Sequence, residues 1–129
     1  MAAAAAAACA AVIFGCGGSS SGGMGPTTAT CSSLPDNRTI LIVNNAVCPQ
    51  TLTVTRGSQV TFINNDNRVH EMNSDPHPDH TNCPELNQVG HLEPGQSRQS
   101  GNLTVARTCG FHDHINDQNR ALQGTITIQ

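Results

Sequence analysis

An antiparallel β-sandwich is the fold class this sequence predicts. Three observations carry the prediction: β-branched residues recur in short runs, turn signals separate the runs, and no stretch sustains a helical period. The first run is T-I-L-I-V at 39–43, and T-L-T-V-T at 51–55 and Q-V-T-F-I at 59–63 follow. The break at Arg56-Gly57-Ser58 between the latter two is short enough for a hairpin. Further on, V-G-H-L at 89–92 meets the turn E-P-G-Q at 93–96, then come L-T-V-A-R-T-C at 103–109 and G-T-I-T-I at 124–128. The region without strand character is roughly 73–88, rich in Asn, Asp, Pro and His. A loop of that length inside a small domain is functional or disordered.

With 129 residues the chain holds one small domain. Phe14 lies in the apolar front end, so Phe62 and Phe111 are the aromatic residues left for a core otherwise built from Val, Ile and Leu. A small aliphatic core rarely leaves more than about 3–5 kcal/mol of net stability, so a disulfide or a bound metal is the usual supplement. Six Arg, no Lys and nine acids give a formal charge of −3, which with the scarcity of stacking residues excludes nucleic acid as a partner class. Between 66 and 93 the acids Asp66, Glu71, Asp75, Asp79, Glu85 and Glu93 face only Arg68 and interleave with His70, His77, His80 and His91. Such a segment attracts cations or a basic protein, or is simply a solvated polar loop.

Residues 2–14 are Ala-rich and apolar and run into Gly15 and Cys16, followed by a flexible Gly/Ser stretch. Ile13 at the third position upstream and the small Gly15 before the cysteine resemble a bacterial lipoprotein signal, although no Lys or Arg precedes the apolar run. That resemblance implies a signal over 1–15, a lipidated Cys16 heading a linker over 16–37, and a folded domain over 38–129 held at the membrane in the periplasm or at the cell surface. An ordinary cleaved signal is the alternative. Either reading takes the product out of the cytoplasm into an oxidising compartment, which permits disulfides.

The chemistry concentrates in T-C-G-F-H-D-H at 108–114 and in His70, just after the run ending N-N-D at 66. One thiolate candidate and two or three imidazoles at the ends of neighbouring strands make a mononuclear copper site. From Thr39 onward the order of features resembles the cupredoxin family of small copper proteins, which includes plastocyanins and azurins. Its marks are C-P-Q-T-L-T-V-T-R-G-S-Q-V-T-F-I-N-N-D-N-R-V-H at 48–70, L-E-P-G-Q-S at 92–97, T-C-G-F-H at 108–112 and L-Q-G-T-I-T-I at 122–128.

The resemblance implies a Greek-key sandwich and one copper ion held by His70, Cys109 and His112. In many members a Met precedes the closing strand, two residues before a Gly; here Leu122 stands there. His114 is the favoured axial or alternative ligand, with Gln123 and Glu71 as further candidates, or Leu122 as an apolar lid. An absent axial donor raises the potential, and an added imidazole or carboxylate lowers it. Strand alternation puts Arg107 on the face of Leu103, Val105 and Cys109, as a clamp on Asp113 or Asp75 unless a bulge turns it outward.

His77 and His80, in the loop after the first implied ligand, cover the site, form a second capture site, or lie exposed. His91 is read as structural or exposed, and Met72 as buried. Setting Cys9 and Cys16 aside, four Cys remain, and with Cys109 on the metal one bridge is expected. The family fold would bring the loops of Cys48 and Cys83 to the metal-bearing end, so these two are paired, with Cys31 as an alternative partner or free.

The leading functional expectation is a membrane-tethered one-electron carrier whose acidic segment steers a basic redox partner such as a cytochrome. The alternative is a copper-binding protein for buffering, resistance or delivery, working with copper-handling proteins. A structural zinc site on an adhesion module is a third reading. No hydrolytic triad, phosphate loop or zinc-protease helix is present in the sequence, so an enzyme is the least supported.

Overall fold

The computed structural model describes Cys31 and residues 34–129. The expected signal over 1–15, the lipidation site Cys16 and most of the 16–37 linker lie outside the described residues. Two sheets face each other. The first is built from β1 (Thr39–Val43), β2 (Ala46–Cys48), β4 (Thr61–Asn64) and β7 (Ser97–Gln99), and the second from β3 (Thr51–Val54), β5 (His70–Ser74), β6 (Gly90–Leu92), β8 (Arg107–Asp113) and β9 (Gly124–Ile128). Strand order is β2-β1-β4-β7 in one and β3-β9-β8-β5-β6 in the other.

The sandwich is the expected one, and both sheets are mixed: β1 pairs with β4 and β3 with β9 in parallel, while the other pairings are antiparallel. The Arg56–Ser58 break is not a hairpin. It carries the chain from β3 in one sheet to β4 in the other, and Ser58 bridges Leu103. A true two-residue hairpin joins β1 to β2 at Asn44 and Asn45, whose φ values of 52° and 59° put both in the left-handed region such a turn requires.

The strand expected at 103–109 forms later and runs further. Val105 is exposed, and β8 begins at Arg107 and continues through His112 to Asp113. Pairing explains the extension: β9 lies along Arg107 to Phe111, and β5 takes over from Phe111 to Asp113. The H-D-H segment is therefore mostly strand rather than strand-end loop.

The core lies between the sheets, with Ile40, Ile42 and Phe62 from one and Met72, Cys109, Phe111 and Ile126 from the other. Phe62 and Phe111 meet edge to face across the gap, ring centroids 5.3 Å apart, a favourable quadrupolar arrangement. The segment from Asp75 to Val89 closes over this core by burying Cys83, Leu86 and Val89.

Two cystines correct the expected pairing of Cys48 with Cys83: Cys31 joins Cys48 and Cys83 joins Cys109, with Cα–Cα distances of 5.5 and 5.8 Å. The reason is strand alternation, which points Cys109 into the core, where the fully buried Cys83 meets it. Among the described residues no helix is long and apolar enough to cross a membrane.

Candidate metal centre

Strand alternation along β8 sends Cys109, Phe111 and Asp113 towards the core and Gly110 and His112 to the opposite face. On β5, Asn73 lies opposite His112 and Met72 opposite Asp113, which brings the two strands into register at this point. His114 follows directly, its N–H donating to the Glu71 carbonyl at 2.7 Å.

The chain leaving β5 at Ser74 bends back over His112. The Asp75 N–H donates to the Gly110 carbonyl at 3.0 Å, and the Asn82 N–H donates to the Asp75 carbonyl at 2.8 Å. His80, with φ at 52°, occupies the left-handed region that residues with a Cβ seldom adopt. Its carbonyl accepts from the Ser74 hydroxyl at 2.9 Å and from the Asn87 amide at 2.8 Å, and its N–H donates to the Pro76 carbonyl. Three hydrogen bonds thus hold the backbone that carries the His80 ring.

The outcome is a cluster of four imidazoles, His77, His80, His112 and His114, each offering one nitrogen within 4.8 Å of the others. Two nitrogens on one ion, each bonded at about 2.0–2.1 Å, stand at most about 4.2 Å apart, so the widest pair needs to close by about 0.6 Å. His114 Nδ1 already lies 3.1 Å from His80 Nε2.

His112 is the buried member. Its Nδ1 lies 2.7 Å from Asp75 Oδ1, and its Nε2 is buried with no hydrogen-bond partner among the described residues. An orphaned buried nitrogen costs free energy unless something binds it, and a metal ion is a group that can. Burial pulls His80 below the ordinary imidazole pKa, and positive charge on His112, His114 or His77 would add to that effect, with Glu71 opposing. These features fit an ion held by four neutral imidazoles.

The thiolate-bearing copper centre implied by the family resemblance does not fit these residues. Cys109 is locked in a cystine, fully buried, and on the strand face opposite His112. Nor does His70 join the cluster. It is buried with Nδ1 2.7 Å from Asp113 Oδ2 and Nε2 3.0 Å from Asp66 Oδ2, so neither nitrogen is free for a metal.

Leu122 is a core residue in a 3-10 turn, and the Gln123 amide donates to the Asp117 carbonyl. Glu71 accepts from the Asn73 amide, Met72 is buried in the core, and His91 is exposed beside Glu93. Arg107 pairs with Glu85 at 2.6 Å rather than with Asp113 or Asp75. Of the expected ligands, His112 and His114 come together, joined by the two loop residues His77 and His80. The signal for those two was the D-P-H-P-D-H stretch itself, which holds two of the four rings.

No family model matches the chain, and no curated protein matches it in sequence. Solved structures do match in fold. A purple cupredoxin from Nitrosopumilus maritimus aligns with a TM-score of 0.55 at 16% identity, covering 70% of this chain and 98% of that one. The oxidised plastocyanin of Dryopteris crassirhizoma gives 0.55 at 21% identity, covering 70% and 99%. A reduced amicyanin variant gives 0.56 at 16% identity, covering 82% and 95%.

Proposed function

Proceeding from a cupredoxin fold, we propose that this chain is an exported copper-binding protein that holds one copper ion through His77, His80, His112 and His114 and serves in copper handling. The observation that carries the reading is the convergence of four imidazole nitrogens on one point, one of them buried and without another partner among the described residues. Imidazole suits copper, zinc and nickel alike, and divalent copper binds most tightly in that series. A donor set without thiolate favours Cu(II) over Cu(I), which suits capture and buffering better than repeated cycling.

The export and tethering of the chain through Cys16 belong to the same proposal, and the two cystines support a location outside the reducing cytoplasm. Its partners on this reading are copper-handling proteins.

A one-electron carrier is the second reading. What favours it is the exposure of the His77 ring, whose side chain is 38% accessible and would present an edge of the centre to a redox partner such as a cytochrome. The plastocyanin and amicyanin likeness in fold points the same way.

The test is to add one equivalent of Cu(II) to the purified chain and record its visible and electron paramagnetic resonance spectra, with zinc as competitor. The proposal expects a single copper, weak colour, a nitrogen-only hyperfine pattern and loss of the signal in His112→Ala. An intense charge-transfer band removed by Cys109→Ser would overturn it. Rapid, reversible reduction by ascorbate would favour the carrier reading.

A further inference from the structure

We propose that Asp75 is a positioning residue for the four-histidine centre: it fixes the hydrogen of His112 on Nδ1 and so presents the Nε2 lone pair to the metal. The proposal rests on the reading of the cluster as a metal site, and three independent features of the fold support it. Asp75 Oδ1 stands 2.7 Å from His112 Nδ1, within charge-assisted hydrogen-bond distance. A carboxylate accepts and does not donate, so the nitrogen facing it carries the hydrogen and the other does not. That other nitrogen, Nε2, is the buried one with no hydrogen-bond partner among the described residues.

The backbone that carries this carboxylate is held from both sides. The backbone N–H of Asp75 donates to Gly110, and its carbonyl accepts from Asn82, so the residue ties β8 to the His-bearing loop. Gly110 provides the room: a Cβ built there would collide with the Asp75 carboxylate. Glycine at this strand position, two residues before His112, is therefore explained by the side chain it accommodates. A hydrogen-bonded carboxylate behind a ligating imidazole sets ring orientation, and losing such a partner costs about 10–100-fold in metal affinity.

The test reads the metal-free full chain first. Long-range proton–nitrogen correlation NMR identifies which nitrogen of His112 bears the hydrogen, and Nδ1 is expected. In Asp75→Ala the ring should shift towards the Nε2–H form, and Cu(II) affinity, measured against a competing chelator, should fall about 10–100-fold. Asp75→Asn keeps an acceptor oxygen and should recover most of both signals. Gly110→Ala should reproduce the loss, and on the Asp75→Ala background it should cost nothing further in affinity. Asp75 is half-exposed, so its variants should fold, and circular dichroism checks this for them and for Gly110→Ala.

An Nε2–H ring in the wild type, an unmoved tautomer in Asp75→Ala, or equal losses in Asp75→Ala and Asp75→Asn would overturn the assignment. Failure of the wild type to bind copper would instead sink the four-histidine reading, while the tautomer measurement would still decide the role of Asp75.

Discussion

Replacing Cys83 and Cys109 together by alanine separates the structural use of these cysteines from the metal chemistry. Their cystine closes a loop of sequence separation 26, for which loop-closure entropy alone gives about 3.5 kcal/mol of stabilisation at 25 °C. Both sulfurs are fully buried, and removing each costs about 1 kcal/mol more on the scale of a buried methylene. The Arg107–Glu85 ion pair nearby is part-exposed and contributes about 0–1 kcal/mol, so the cystine dominates. A loss near 5 kcal/mol is large against the roughly 5–15 kcal/mol of a typical domain.

Urea unfolding of the double variant should therefore show a steep fall in midpoint. Copper bound by the residual folded protein should keep the same nitrogen-only spectrum, with weaker affinity, because the loop carrying His77 and His80 has lost its covalent tie. A stability loss under about 1 kcal/mol, or two reactive thiols in the untreated wild type, would refute the reasoning, since either means the bridge is not formed in solution.

Metal loading should raise the melting temperature: free Cu(II) at a hundred times its dissociation constant adds about 2.7 kcal/mol, or roughly 10–20 °C for a domain of this size. His112→Ala should abolish that rise in differential scanning fluorimetry. His70→Ala should cost about 3–5 kcal/mol in urea unfolding, because it leaves the buried Oδ2 of Asp113 without its imidazole partner, while the copper spectrum of the folded fraction stays unchanged. His80 has its pKa lowered by burial, so the unfolded chain takes up a proton that the folded chain resists. Stability of the metal-free protein should therefore be complete above the ordinary imidazole value of 6.5 and decline as pH falls below it, an effect that a pH series of urea midpoints should show diminished in His80→Gln.

The runs that became β1, β3 and β9 were legible because β-branched residues there are continuous and flanked by turn residues. The short β2 and β7 were not, since A-V-C and S-R-Q carry no such pattern and are strands only because a hairpin and a neighbour pair them. His70–Ser74 escaped for a related reason. H-E-M-N-S is polar to the eye, and its strand character comes from lying between β6 and β8. The histidines of the cluster were all visible as candidates. Their grouping was not, because the choice between His70 and the pair His77 and His80 turns on which face of β8 carries His112.

That face is decided by how far β8 remains a strand. If the chain turned immediately after Cys109, the sulfur and the His112 ring could share one end of the sandwich, as the family resemblance implies. Instead β5 pairs with Phe111, His112 and Asp113, and the pleat gives opposite orientations to residues an odd number of positions apart: Cys109 and His112 are three apart and point to opposite sides. The inward side then buries the sulfur against Cys83 and gives Asp113 to His70, and the outward side leaves His112 to be covered by the loop that returns with His77 and His80. One extension of a strand by four residues thus converts an arrangement suited to thiolate and imidazole into one built from imidazole alone. Insertion of a single residue between Cys109 and His112 would reverse the facing of the ring, and it should remove copper binding even if the sandwich still folds.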